Sequence, residues 1–269
     1  MTVKLVAIDI DGTLVDDQKK LSQKTIETIK KVKKKGVYVV LCTGRPVVGI
    51  IDYLKQLDLL SQTDYAITYN GAQVENIGQK KVIATNLLTT KDYEQLLTLS
   101  KKAKVKSQIV TASSKLYTTD KDISPYTVMD AFYTKMPLYY RKQEELICQD
   151  VAKFMLVDTK EKIDLALPYF SEEICANYYT VRSEDCFFEF MHKDANKGQA
   201  MLNLANYLGI KQTETMALGD QKNDLTMLKL ANLGVAMENA SAEIKKYAQK
   251  ITLDNNHDGV AEALEKYVL

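Results

Sequence analysis

Apolar positions fall along this chain at two spacings. Near the start, three runs are almost continuously apolar: VKLVAI (residues 3–8), VYVVLC (37–42) and YAITY (65–69). Continuous runs of this length fit strands covered on both faces, as in a parallel sheet. Between them the spacing becomes helical. Ile26, Ile29 and Val32 fall on one face, Ser22 stands at the N-cap position, and Gly36 stands just past the end. Pro46 is placed to open a second helix over PVVGIIDYLKQL (46–57). Strand, helix, strand, helix, strand begins a doubly wound α/β sheet.

The same alternation returns at the other end. KGQAMLNLANYLG (197–209) is helical, with Met201, Leu204, Ala205 and Leu208 on one face. TMALG, LGVAM and KITL read as strands, and NDLTMLKLA and SAEIKKYAQK as helices between them. Residues 1–82 and 192–269 therefore read as one discontinuous, Rossmann-like α/β domain with a parallel sheet. The stretch 83–191 has a different pattern. Strands such as SQIVTA, KLYTT, AKFMLV, YYTVR and CFFEF mix with helices over 90–102 and 159–170. That composition predicts an inserted α+β domain whose sheet is covered on one face. Nine of the 16 tyrosines lie there; they are expected to pack on the sheet, although tyrosine, with an apolar body and a polar tip, also lines ligand pockets.

With 269 residues the chain has room for two domains, and 46% apolar with 26% charged residues is the balance of a soluble globular protein. A formal net charge of +1 supplies no field for nucleic acid or an anionic membrane. The block KKVKKKG (30–36) reads as a solvated helix end, with lysines near the negative pole of the dipole. Cys42, Cys148, Cys175 and Cys186 form no C-x-x-C pair and suit neither zinc nor a disulfide framework. Lys4 and Asp9 interrupt the first apolar run, and no stretch reaches the ~20 apolar residues of a membrane span. A cytoplasmic protein is expected. None of these features sets an oligomeric state.

In a doubly wound sheet, ligands bind at the carboxyl ends of the strands. Three polar clusters fall at such ends: Asp9 and Asp11, then Thr43, Gly44 and Arg45, then Gly219 and Asp220 with Asn223 and Asp224. Lys197 precedes a further helix. A cation is unfavourable at that pole, so a partner anion is expected. Asp9 and Asp220, with a backbone carbonyl from the first loop, are hard oxygen ligands suited to Mg²⁺. Two unit charges 4 Å apart repel by roughly 1 kcal/mol in water and by more at lower dielectric. A carboxylate can attack a phosphoryl group only where cations screen the approach. Thr43 and loop amides can donate to phosphoryl oxygens. His192 and His257 read as surface residues, and Cys42 as a small core residue.

DIDGTL (9–14), TGR (43–45), NKG (196–198) and GDQKND (219–224) occur in the order and setting of the haloacid dehalogenase (HAD) superfamily. The chain resembles its Cof-type phosphatases, which carry a large α/β cap between the second and third motifs. GVAMENA (234–240) and DGVAEAL (258–264) resemble Cof-type sequences too. The resemblance implies Asp9 as nucleophile, forming an aspartyl phosphate, and Asp11 as acid and then base. It implies Ile10 (through its backbone), Thr43, Gly44, Lys197 and Asn223 as phosphate-holding residues. Asp9, the Asp11 carbonyl, Asp220 and Asp224 would hold Mg²⁺, with Asp224 as a ligand or an anchor behind one. His192 and Asp194 stand where proline and glycine are frequent in that family.

The function expected is a Mg²⁺-dependent phosphatase acting on a small phosphorylated metabolite, a sugar phosphate or similar monoester. A phosphomutase would use the same aspartyl phosphate but return the group to its substrate. A phospho-accepting signalling module would use Asp, Mg²⁺, Thr and Lys, but has no use for Asp11 as an acid. The core motifs address only the phosphoryl group, so selection of the leaving group falls to the insertion.

Overall fold

The computed structural model describes residues 2–146 and 150–269, so Cys148 lies outside the described residues. The chain divides into two compact units, one of residues 1–44, 50–85 and 196–269, the other of residues 45–49 and 86–195.

The first unit is built on an eight-stranded sheet. Its order is Lys250–Ile251, Leu233–Ala236, Thr215–Gly219, Leu5–Ile8, Tyr38–Cys42, Tyr65–Thr68, Gln73–Asn76, Lys81–Thr85. The first six are parallel and the last two antiparallel. Leu5 pairs with Thr215 on one side and Tyr38 on the other, and every residue of Leu5–Ile8 is fully buried. That explains the unbroken apolar run: both faces of this strand are covered. Chain order reverses across it, which makes it the switch point and sets the carboxyl ends of three strands side by side. On one face Leu5, Ala7, Val40 and Ile67 meet Met201, Leu204 and Ala205 of the helix Lys197–Tyr207. Each fully buried Leu, Val, Ile or Met side chain among them is worth about 1.5–3 kcal/mol.

The helix Gln23–Lys34 begins as its sequence dictates. Ser22 Oγ accepts from the Thr25 amide at 3.0 Å, Ile29 and Val32 are buried, and Gly36 follows the end with φ 80°. Its last turn carries Lys31, Lys33 and Lys34, and Lys33 reaches Asp64 at 2.9 Å, so the basic block is a helix end. The helix expected over 46–57 is interrupted. Val47–Gly49 forms a 3-10 turn and only Ile51–Gln56 is α-helical. Gly49 amid β-branched neighbours disfavours a continuous helix there. Two strands, Gln73–Asn76 and Lys81–Thr85, add an antiparallel hairpin that the apolar pattern does not announce. They carry the first sheet to Thr85, three residues past the expected boundary at 82.

The second unit has a six-stranded sheet in the order Tyr178–Glu184, Phe187–His192, Val151–Val157, Ser107–Thr111, Leu116–Thr118, Leu138–Tyr140. All pairs are antiparallel except the last. One face packs Ile109, Tyr117, Phe154 and Phe190 against Tyr93, Leu96 and Leu97 of the helix Thr90–Lys102 and Ile163 of Lys160–Ala166. Three tyrosines (93, 117 and 178) are part of this apolar layer, which fits the packing reading of such residues. The helix Pro125–Thr134 was not legible as a periodic segment: Val128, Phe132 and Tyr133 are exposed, while Thr127 and Asp130 are buried. Among the described residues, no helix is long and apolar enough to cross a membrane.

Candidate active site

Asp9 is the first residue beyond the central strand, and its amide donates to the Leu218 carbonyl at 3.0 Å. The chain then turns at once. The Ile10 carbonyl accepts from the amides of Leu14 and Val15 at 3.0 and 3.1 Å. Gly12 has φ 78°, and a Cβ there would stand 2.4 Å from Asp220 Oδ2. The turn therefore needs glycine both for its backbone and for the approach of a carboxylate. Asp220 follows the neighbouring strand Thr215–Gly219, so parallel pairing of the two strands brings Asp9 and Asp220 together.

Lys197 joins this pair from the first turn of its helix, where Asn196 is the N-cap. It is fully buried, and its Nζ lies 2.5 Å from Asp9 Oδ1 and 2.7 Å from Asp224 Oδ1. A cation at this helix pole is explained by the two carboxylates facing it. Asp224 is fully buried as well, and its Oδ2 accepts from the amides of Asp220 and Gln221, both at 2.9 Å. Both Asp224 oxygens are thus engaged, and it fixes Lys197 and the Asp220 loop together. Asp220 accepts from Thr13 Oγ1 at 2.8 Å through Oδ1 and from Asn239 Nδ2 at 3.2 Å through Oδ2.

Asp9, Asp220 and Asp224 each offer a carboxylate oxygen within 4.8 Å of the others, and all three residues are buried. Burial and the Asp224 charge hold the Asp9 carboxyl well above the usual carboxylate range, although Lys197 opposes this. Burial and Asp224 push Asp220 up to about 6, while Thr13 and Lys197 act the other way. Burial works to lower the Lys197 ammonium, but Asp224 and Asp9 hold it above the usual lysine range. Lys197 therefore stays charged. One ammonium faces three buried carboxylates, so full ionisation of all three would leave two negative charges without a cationic partner. A hard divalent cation is the species that such a donor set and charge deficit fit.

The other expected residues are distributed around this centre. Thr43, 1% exposed, directly follows the second strand, its amide donating to Ile67 O and its carbonyl accepting from Asn70 N, both at 2.9 Å. Gly44 follows it and contacts the Asn70 side chain. Asn223 lies in the turn Lys222–Asp224 and donates from Nδ2 to Asn70 Oδ1 at 3.0 Å. Asp11 is partly exposed, and Lys19 Nζ lies 2.7 Å from its Oδ1. Arg45 donates to the Gly49 carbonyl of its own loop at 3.5 Å and belongs to the second unit. His192 and His257 make surface pairs with Asp194 and Asp254, whereas Cys42 is fully buried with its Sγ 4.0 Å from the Lys197 carbonyl, and burial pushes its thiol up.

Four residues at the site escaped sequence reading: Thr13, Lys19, Asn70 and Asn239. Thr13 and Asn239 lie inside quoted motifs, DIDGTL and GVAMENA, without an assigned role. Asn239 also donates to the Gly12 carbonyl at 2.8 Å, so it bridges the first loop and Asp220. Asn70 sits in YNG, a turn signal that says nothing of what the side chain touches.

A family model described as haloacid dehalogenase-like hydrolase matches residues 6–264. The chain is 40% identical over 268 residues to "Putative phosphatase YxeH" of Bacillus subtilis, covering 99% of this chain and 98% of that protein. A solved haloacid dehalogenase-like hydrolase from Bacteroides thetaiotaomicron is 30% identical with a TM-score of 0.88, covering 98% of this chain and 99% of that one. A solved HAD subclass IIB sugar phosphatase is 25% identical with a TM-score of 0.80, covering 98% and 99%.

Proposed function

The chain belongs to the haloacid dehalogenase-like hydrolase family, and from that premise we propose that it is a cytoplasmic, Mg²⁺-dependent phosphatase hydrolysing small phosphorylated metabolites through an aspartyl phosphate on Asp9. Sugar phosphates and similar monoesters are the substrate class, a reading supported by the likeness to a sugar phosphatase of subclass IIB. The observation that carries the reading is the Lys197 ammonium. Fully buried, it holds Asp9 and Asp224 at once beside Asp220.

In the first step Asp9 forms a bond to phosphorus as the ester P–O bond breaks. Asp11 gives a proton to the departing oxygen, so the leaving group departs as a neutral alcohol. In the second step Asp11 takes a proton from water, whose oxygen attacks the phosphoryl group and releases Asp9 and inorganic phosphate. Lys197, fully buried, offsets the charge of Asp9 and of the phosphoryl oxygens. Thr43, Gly44, the backbone of Ile10 and Asn223 hold those oxygens. Asp9, Asp220 and the Asp11 carbonyl would hold Mg²⁺, with Asp224 as the anchor behind them. Bound there, the ion supplies charge neutralisation between nucleophile and ester.

Release of inorganic phosphate from a panel of sugar phosphates and other monoesters tests this. Turnover that needs Mg²⁺ and fails in Asp9→Asn is expected. Full activity with excess chelator, or in Asp9→Asn, would refute the proposal. Stoichiometric isomerisation of a sugar phosphate without free phosphate would replace it with a phosphomutase.

A further inference from the structure

The turn after the third strand holds two consecutive non-glycine residues in the left-handed region: Tyr69 at φ 51° and Asn70 at φ 56°. Asparagine visits that region readily, but a bulky aromatic residue does so at a cost. Both side chains are buried, Tyr69 fully and Asn70 to 4% exposure. Strain of this kind persists where the surroundings over-determine the backbone, and it concentrates at functional sites.

The strained turn aims the Asn70 carboxamide at two of the phosphate-holding elements. Its Oδ1 accepts from Asn223 Nδ2 at 3.0 Å, and the backbone N–H of Asn70 donates to the Thr43 carbonyl at 2.9 Å. Gly44 lies so close that a Cβ there would stand 3.1 Å from Asn70 Oδ1. The bond to Asn223 has a directional consequence. A primary carboxamide carries two N–H groups and one acceptor oxygen. Committing one N–H of Asn223 to Asn70 fixes which end of the Asn223 amide faces onward, so the second N–H is oriented as a donor. An anion needs donors, and an Asn223 turned about its terminal bond would present an acceptor oxygen instead.

We propose that Asn70 is a positioning residue for the phosphoryl group: it locks the carboxamide orientation of Asn223 and braces the Thr43–Gly44 loop. It does not itself contact substrate. The proposal rests on the phosphatase reading above.

The test is a double-mutant cycle on the competitive inhibition constant of inorganic phosphate, read with Mg²⁺ present. Asn70→Gly is the main variant, because glycine accepts the left-handed backbone and only the carboxamide is lost. Asn70→Ala is a second route to the same readout. A phosphate constant about ten-fold weaker is expected for Asn70→Gly, the loss of a hydrogen-bonding arrangement to a charged group. In an Asn223→Ala background the same substitution should cost less than about two-fold, since the partner is already gone. A merely structural role would lower thermal stability and the active fraction but leave the inhibition constant unmoved. An unchanged constant in Asn70→Gly, or an undiminished effect in the Asn223→Ala background, would overturn the proposal. Wild-type protein that neither hydrolyses monoesters nor is inhibited by phosphate would bring down the functional reading, and this inference with it.

Discussion

Each unit buries a cluster of carboxylates around one lysine, and the two clusters have opposite consequences. In the first unit Lys197 holds Asp9 and Asp224 beside Asp220. In the second, Lys153 Nζ lies 3.1 Å from Glu189 Oε1, which also accepts from Ser183 Oγ at 2.7 Å, while Asp130 accepts from Gln108 Nε2 at 2.6 Å. The second cluster rises from the middle of strands. Gln108, Lys153 and Glu189 alternate with Ile109, Phe154 and Phe190, so they occupy the sheet face opposite the aromatic layer. Glu189 Oε1 is held by Lys153 and Ser183 from the neighbouring strands, Gln108 by Asp130 of the helix Pro125–Thr134, and burial pushes the Asp130 carboxyl up, towards its neutral form. The first cluster stands at strand ends, on loops whose glycine at 12 admits a carboxylate. On the proposed function, a cation and a phosphoryl group take up the excess of carboxylates there. Position within the sheet, rather than residue type, would then separate a structural charge cluster from a reactive one.

The strongest way to break this comparison is to substitute in both clusters. Asp9→Asn should reduce turnover by about 10⁴-fold or more with the fold intact, the scale seen when a covalent nucleophile is removed. Glu189→Gln should leave turnover within about three-fold and instead destabilise the protein by about 3 kcal/mol, because it leaves Lys153 buried and unpaired. Chemical denaturation with parallel activity assays reads both. Equal losses of activity from the two substitutions would erase the distinction.

Metal titration sharpens it. Mg²⁺ should raise the melting temperature of wild-type protein, and Asp220→Asn should abolish that rise. Asn239→Ala, which removes the bridge between Gly12 and Asp220, should weaken apparent Mg²⁺ affinity by about 10–100-fold, the usual cost of losing a group that orients a ligand. Glu189→Gln should leave the Mg²⁺ dependence unchanged.

A further prediction concerns pH in metal-free protein. Asp220 is pushed up to about 6 in the folded state, against 3.8 for a free aspartate side chain. A group whose folded pKa is raised contributes stability that is complete below its unfolded pKa. That contribution is lost as pH rises through the folded value. Asp220 therefore disfavours the metal-free fold by about 3 kcal/mol once pH passes from about 4 to above about 6. The stability difference between wild type and Asp220→Asn, measured in chelator from pH 4 to 7, should grow in favour of the variant and collapse when Mg²⁺ is added. A difference independent of pH would contradict the raised value.

Much of the first unit was legible because its signals are local. Continuous apolar runs marked Leu5–Ile8 and Tyr38–Cys42, and Ser22 and Gly36 marked the ends of the first helix. Asp9, Thr43, Lys197 and Asp220 were readable as residues at strand or helix ends. What stayed hidden depends on contacts between distant segments. Gln73–Asn76 and Lys81–Thr85 are short and partly polar, held by pairing rather than pattern. Asn239 and Asn70 act through partners 227 and 153 positions away, and no spacing rule encodes that. The engagement of both Asp224 oxygens, by Lys197 and by two loop amides, also emerges only from the closed turn.

The most direct test of the central claim is a single-turnover acid quench of wild-type protein with a hydrolysed monoester, followed by peptide mass spectrometry. The account predicts a phosphoryl adduct on Asp9 that forms only with Mg²⁺ present and is absent from Asp9→Asn. Turnover at full rate with no adduct on Asp9, or with the adduct on another residue, would contradict it.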